Sequence, residues 1–291
     1  MKSNFMEELI KIKKGAPVWL QLSFLLIWIS GVALLSCLGG DTSVDDARLS
    51  GIMTPGLIRF MIVVQAVIVF FLPIIFFIFL LRQSGFPFLT LGKKPKFSWL
   101  LFGVFCMASS FPFVSWIGEI NSEMHLPSVF SGMEKWMRSM ETQSSKTSEI
   151  LLNDKSFIGL ILNLFTIAFT AAFSEELFFR ATLQRTLTET RLNYHVGIWI
   201  TAIIFSAIHM QFFGFFPRLF LGAVLGYLFY YTENIWVSII AHFLNNGFVV
   251  VLGYLSSTDV HLNPLEKGKE DLDISFGWPL AILSFLVVLS L

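Results

Sequence analysis

The chain has 291 residues, 55% of them hydrophobic and 33 of them phenylalanine, with only 14% charged. Soluble domains carry about 25% charged residues, so the composition excludes a soluble globular protein and predicts an integral-membrane one. The formal net charge is zero, and no basic cluster of the kind that holds nucleic acid is present.

Taken in order, the first fourteen residues are charged and amphipathic. The apolar run after them, about 18–38, has the ~20-residue length of a membrane span. It lacks a small-residue cleavage site and reads as a retained first span. An acidic loop with Asp41, Asp45 and Asp46 leads to a second span, about 57–81, with a kink expected at Pro73. A basic loop (Arg82, Lys93, Lys94, Lys96) precedes a third span, about 98–118. Residues 119–156 form the longest polar stretch. Within it Val129, Met133, Trp136, Met137 and Met140 recur at helical spacing opposite Glu134, Lys135, Arg138 and Glu141. That pattern predicts an extramembrane amphipathic helix on the membrane surface, the alternative being a small helix packed on a loop.

The fourth span starts near Phe157 and runs into the sequence Phe-Ser-Glu-Glu-Leu-Phe-Phe-Arg at 173–180. A fifth is expected at 196–216, ending at Pro217. A sixth, 219–231, carries Gly222-x-x-x-Gly226, a small-residue pattern that lets helices approach closely. A seventh covers 235–255. An acidic loop, 259–273, precedes a final apolar segment at 276–291. The expected fold is all-α: one integral-membrane domain over 1–291, a polytopic bundle of about eight transmembrane helices plus the interfacial helix. Basic residues at Lys2, Lys11, Lys13 and Lys14, in the second loop, and at Arg180, Arg185 and Arg191 place the N-terminus in the cytoplasm by the positive-inside rule. The Glu175 end of the fourth span, and with it the mouth of the site, follows them there.

Ionisable groups cost roughly 2.5–3.5 kcal/mol each at the centre of a membrane helix, so those that persist point to function. Glu176 and Arg180 are four apart and share a helix face, so they can neutralise each other. Glu175 is turned by about 100° and is left without that partner. It is the candidate general base, with Glu176 and Arg180 as its brace. His209 and His242 fall inside apolar segments; Phe205 is four residues before His209, and Asn246 four after His242. His125, His195 and His261 sit in loops or at a span entrance and receive no role. The two cysteines, Cys37 and Cys106, lie in apolar runs with no Cys-x-x-Cys, which argues against a thiolate zinc site or a disulfide framework. Ser174 and Ser206 adjoin the site residues but read as packing residues.

Two chemistries suit a Glu, two His and an Asn. Glu175 and His209 can deprotonate a water while His242 and Asn246 hold the oxyanion, a task worth about 3–4 kcal/mol per fixed donor. Alternatively, both histidines and a carboxylate bind zinc, although no His-Glu-x-x-His is present. A third reading is a non-catalytic binding or immunity protein whose polar cluster locks helices together.

Glu175, Glu176 and Arg180 match Glu-Glu-x-x-x-Arg, Phe205 and His209 match Phe-x-x-x-His, and His242 and Asn246 match His-x-x-x-Asn. In this order the three motifs resemble the CAAX protease and bacteriocin-processing family, the type II CAAX prenyl endopeptidases and their bacterial relatives. The resemblance covers about 157–254. It implies a metal-independent intramembrane endopeptidase, with Glu175 and His209 activating water and His242 and Asn246 forming the oxyanion hole. Zinc is the alternative cofactor, since such enzymes were once regarded as metalloproteases. The long 119–156 segment resembles the bacterial branch, which implies a bacterial inner membrane and a peptide or membrane-protein substrate in place of a prenylated one. Peptide maturation and bacteriocin self-immunity are the associated roles.

Overall fold

The computed structural model describes residues 16–39, 53–82, 89–190, 192–255 and 277–290. The N-terminal amphipathic stretch, the acidic loops around Asp41 and Asp259, Arg191 and His261 lie outside the described residues. Among the described residues every regular element is helical: α1 (Val18–Gly39), α2 (Pro55–Leu81), α3 (Phe97–Ser122), α4 (Ser131–Leu152), α5 (Phe157–Thr188), α6 (Tyr194–Ile208), α7 (Phe215–Thr232), α8 (Ile235–Leu255) and α9 (Trp278–Ser290). Six helices are long and apolar enough to cross a bilayer, and α6 and α9 are shorter apolar helices. The protein is a polytopic helical membrane bundle.

Two prolines interrupt these helices, and other helices repair the damage. Pro73 has no N–H to give the carbonyl four residues back, and that Val69 carbonyl instead accepts the Trp28 indole of α1 at 3.0 Å. Just before the proline, α2 widens into a π-helical turn over Val67–Phe71. At Pro112 in α3, Ser284 of α9 donates to Ser109 O and accepts the Phe113 N–H at 3.3 Å. Each break thereby becomes an interhelical hydrogen bond, which suits a setting where no water can satisfy the backbone.

Chain direction defines two faces. Lys93 contacts Glu233 O at 3.0 Å, and Asn234 reaches Lys93 O at 2.9 Å, so the basic loop, the α5–α6 turn and the α7–α8 turn share one face. Helix α4 lies on the other. It is packed on the bundle and not simply laid on the membrane: Trp136 meets Phe212 in a tilted ring contact at 5.4 Å and Arg138 sits 4.2 Å over Phe213. Arg59 of α2 anchors the α4–α5 turn through Asp154 at 2.8 Å and Asn163 at 3.0 Å. Near the start of α4, His125 and Arg138 hold the Glu134 carboxyl down to about 2. Its contribution is present above the usual carboxylate range and is lost as pH falls through that value. Hydrogen-exchange protection at residues 124–138, each rate divided by its intrinsic value at the same pH, is expected to fall as pH drops from 4 to 2 and to stay constant above 5.

Close approach of α5, α6 and α7 depends on the two glycines of α7. A Cβ on Gly226 would stand 2.8 Å from both Gln184 Oε1 and Ile198 Cγ2. Gln184 Nε2 meanwhile donates to Gly226 O at 2.9 Å. Gly226→Ala is expected to lower stability by about 1–3 kcal/mol through overpacking, read as an earlier thermal transition of detergent-purified protein. An unchanged transition would contradict this packing.

Two expectations need correction. Helix α5 has 32 residues, so Glu175 lies near the middle of the helix and not at its end. The predicted fifth span also does not run to Phe216. Helix α6 stops at Ile208, His209 caps it, and Met210 takes a left-handed conformation with φ 55°. A short 3-10 turn, Phe212–Gly214, leads into α7. The exposed backbone is met from α3, where Asn121 donates to Phe212 O at 3.2 Å and accepts the Phe216 N–H at 2.9 Å.

Candidate active site

The site is assembled on α5 just where its winding changes. After Glu176 the helix becomes π-helical over Leu177–Gln184. There the Arg185 N–H bonds back to Arg180 O, five residues away, and Thr182 Oγ1 donates to Leu177 O at 2.9 Å. Such insertions recur at functional sites because they re-aim side chains without ending the helix.

Glu176 and Arg180 are both fully buried, with Arg180 Nη1 3.1 Å from Glu176 Oε1. Arg180 Nη2 donates to Gly222 O at 3.1 Å, and its guanidinium sits 4.7 Å from the Phe205 ring centre. Gly222 permits this, because a Cβ there would meet Phe205 Cδ1 at 3.1 Å. Phe205 touches every cationic or imidazole group of the site, with His209 at 5.0 Å and His242 at 6.0 Å, both edge-to-face.

The hydrogen bonds assign the ring protons. His209 Nδ1 donates to Phe205 O at 2.7 Å; a carbonyl can only accept, so Nε2 carries the lone pair when the ring is neutral. His242 Nδ1 lies 2.9 Å from Glu176 Oε1 and by the same rule donates to the carboxylate. Both Nε2 atoms then face Glu175 Oε2, at 3.9 Å from His209 and 4.0 Å from His242. These separations are too long for direct hydrogen bonds and frame one small spot between three groups. Glu175 is 8% exposed and His242 6%, and the His209 side chain is 26% exposed, so the spot opens past His209.

Glu175, His209 and His242 thus converge from three helices, with Phe205, Glu176 and Arg180 behind them. Asn246 lies one turn beyond His242 on α8, half-buried, and its Oδ1 accepts from Asn245 Nδ2 at 3.2 Å. No hydrogen bond links it to the other three. Ser174 Oγ donates to Thr170 O at 2.7 Å and Ser206 Oγ to Phe215 O at 2.6 Å, so each hydroxyl is committed to a backbone carbonyl. The three converging groups are also the zinc alternative's donor set. Among the described residues no group of three or more His, Cys, Asp or Glu side chains is disposed to hold a metal ion.

Sequence reasoning missed two features. Glu176 holds His242 as well as Arg180, a contact between residues 66 positions apart. Arg218 of α7 interacts electrostatically with both Glu175 and His209. The signal for Arg218 was available, since it is a cation inside an apolar run, the same criterion that singles out Glu175.

The fold and this constellation define a helical membrane protein with an acid and two imidazoles gathered inside the bundle. Residues 157–248, which contain every residue of the constellation, match the family described as type II CAAX prenyl endopeptidase Rce1-like. By its description that family is one of prenyl endopeptidases, and the match covers about a third of the chain. The chain is also similar to "Uncharacterized protein YpbD" of Bacillus subtilis (strain 168), with 31% identity over 77 residues, 25% of this chain and 36% of the relative. It therefore spans about a third of that relative's length. No solved structure matches the chain.

Proposed function

We propose that this protein is a glutamate-dependent, metal-independent intramembrane endopeptidase of a bacterial membrane. The observation that carries this reading is the convergence of Glu175 Oε2 with two imidazole Nε2 atoms at 3.9 and 4.0 Å. A water seated about 2.8 Å from both Glu175 Oε2 and His209 Nε2 donates its two hydrogens to two acceptors. That arrangement leaves its lone pair for a peptide carbonyl. Glu175 takes the proton as the carbonyl carbon is attacked and returns it to the leaving amine, as a general base and then acid. His242, held by its Nδ1 bond to Glu176 at 2.9 Å, turns Nε2 towards the oxyanion and donates to it when that nitrogen carries a proton. Asn246 supplies a second donor when the substrate seats beside it.

Position in the bundle bears on how substrate arrives. By helical rise, Glu175 lies about 20 Å from the basic-loop end of α5, and the irregular 209–214 segment opens on the α4 face. The positive-inside rule puts the basic loops in the cytoplasm, so the mouth lies on the opposite face, in place of the cytoplasmic mouth expected from the sequence. The substrate is a peptide or membrane-protein tail approaching alongside α4.

The test uses purified protein in lipid vesicles with a peptide library. His209→Ala and His242→Ala are each expected to slow cleavage at least ~100-fold, with wild-type turnover unaffected by chelator. Chelator-abolished cleavage restored by zinc would instead establish the metal alternative.

A further inference from the structure

Arg218 is a cation beside the site that the proposed hydrolysis leaves unused. It stands one turn into α7, with Nη1 donating to Gln211 O at 2.9 Å and Nη2 donating to Gln211 Oε1. The guanidinium passes over bare backbone at Gly214, where a Cβ would lie 2.5 Å from Nη2. Gln211 is two residues beyond His209, and its Nε2 is held by Ser144 of α4. Arg218 is thus fixed at the lip of the opening that His209 borders.

Its charge is not matched by a contact partner. Glu176 is committed to Arg180 at 3.1 Å. Arg218 interacts electrostatically with Glu175 and with Glu141 of α4, yet among the described residues neither carboxylate closes to a contact ion pair with it. Glu141 is a poorly held incumbent. Its Oε2 is buried without a hydrogen-bond partner, and its bonds are limited to the Phe213 N–H. Burial pushes the Glu141 carboxyl above the usual carboxylate range, against the pull of Arg218 and that N–H. A buried, half-satisfied carboxylate costs free energy, so Glu141 is a weak competitor for a carboxylate that closes to hydrogen bonds with Arg218.

We infer that Arg218 and Gln211 form a carboxylate-binding subsite beside Glu175, which takes a carboxylate of the substrate peptide in competition with the charge of Glu141 of α4. A guanidinium presents paired donors matched to a carboxylate. The carboxylate belongs either to the C-terminus of the peptide or to an Asp or Glu side chain. In either case it sets which bond reaches Glu175, so Arg218 acts as a specificity residue. This inference rests on the hydrolytic reading for its purpose, but binding can be measured apart from cleavage.

The experiment uses protein carrying Glu175→Gln, in nanodiscs, with three pools of random decapeptides. One pool has free C-termini and no Asp or Glu, one is amidated with a single Asp or Glu, and one is amidated with neither. Peptides retained on the protein are counted by mass spectrometry. Either carboxylate pool is expected to be retained at least tenfold over the third, and the favoured pool identifies the source. Adding Arg218→Gln should remove the preference, Arg218→Lys should keep most of it, and Glu141→Gln should increase retention severalfold. Equal retention of all pools, or a preference that survives Arg218→Gln, overturns the subsite. Should Arg218→Gln fail to fold, the Glu141→Gln variant decides, and unchanged retention there also overturns it. Cleavage of the same pools by wild-type protein is scored separately, so loss of the hydrolytic reading and loss of the subsite give different results.

Discussion

Glu175→Gln is expected to reduce peptide-bond cleavage by ~10²–10⁴-fold, the usual worth of a positioned general base, with no loss of folded protein. The side chain keeps its volume and loses only its basicity. The two interactions that hold the site's architecture, Glu176 with Arg180 at 3.1 Å and Glu176 with His242 at 2.9 Å, do not involve Glu175. The two imidazole nitrogens stand 3.9 and 4.0 Å from its Oε2, so the amide displaces no hydrogen bond to either ring. The check is a paired measurement of cleavage rate and thermal unfolding on the same preparation. An inactive variant that is also unfolded would make Glu175 a structural residue and not a base.

The larger effect on stability is expected at Glu176. Glu176→Ala leaves the fully buried Arg180 guanidinium without its counter-charge and takes the acceptor from His242 Nδ1. Breaking a buried pair by removing one partner costs about 3–5 kcal/mol, a large part of the 5–15 kcal/mol typical of folded proteins. The expected result is little or no folded protein in detergent. Replacing both partners by apolar residues is often neutral, so Glu176→Leu combined with Arg180→Met should recover folding. It should not recover cleavage, because His242 would still lack the carboxylate that orients it. Normal yield and stability of Glu176→Ala would contradict the bracing role. Recovery of activity in the double variant would show that Glu176 does not act through His242.

Where the chain crosses the membrane was legible in the sequence wherever a run of about 20 apolar residues is bounded by charge or by turn residues, as at α2, α3 and α8. The break after His209 was not. Residues 205–216 offer no charge and only Gly214 as punctuation, so hydropathy alone continues the helix. The stop is made by tertiary contacts: Asn121 of α3 serves Phe212 O and the Phe216 N–H, and Ser206 Oγ donates to Phe215 O. Ending the fourth span at Glu175 fails for a related reason. The acidic pair reads as a boundary, whereas in the fold Arg180 neutralises Glu176 inside the bundle and α5 continues to Thr188.

The site was legible to the extent that its pairs obey helical spacing. Glu176 with Arg180 and Phe205 with His209 both follow from positions four apart on one helix. The meeting of three helices followed only from the cost of isolated polar groups in hydrocarbon, which requires partners without naming them. Hence helical spacing gives Glu176 only Arg180 as a partner, and its second bond, to His242, comes with the fold. Asn246 shows the opposite limit. Its spacing from His242 puts both on one face of α8, yet a shared face does not make a shared hydrogen bond, and Asn246 Oδ1 instead accepts from Asn245 Nδ2.

The most direct measurement of the central claim is the mass spectrum of peptides released in sealed vesicles that hold purified wild-type protein, the Glu175→Gln variant or no protein, each with chelator present. New peptide termini in the wild-type vesicles, absent from the other two, are the predicted result. Termini that appear equally with Glu175→Gln, or that vanish from the wild type when chelator is added, would contradict a hydrolysis run by this carboxylate and its two imidazoles.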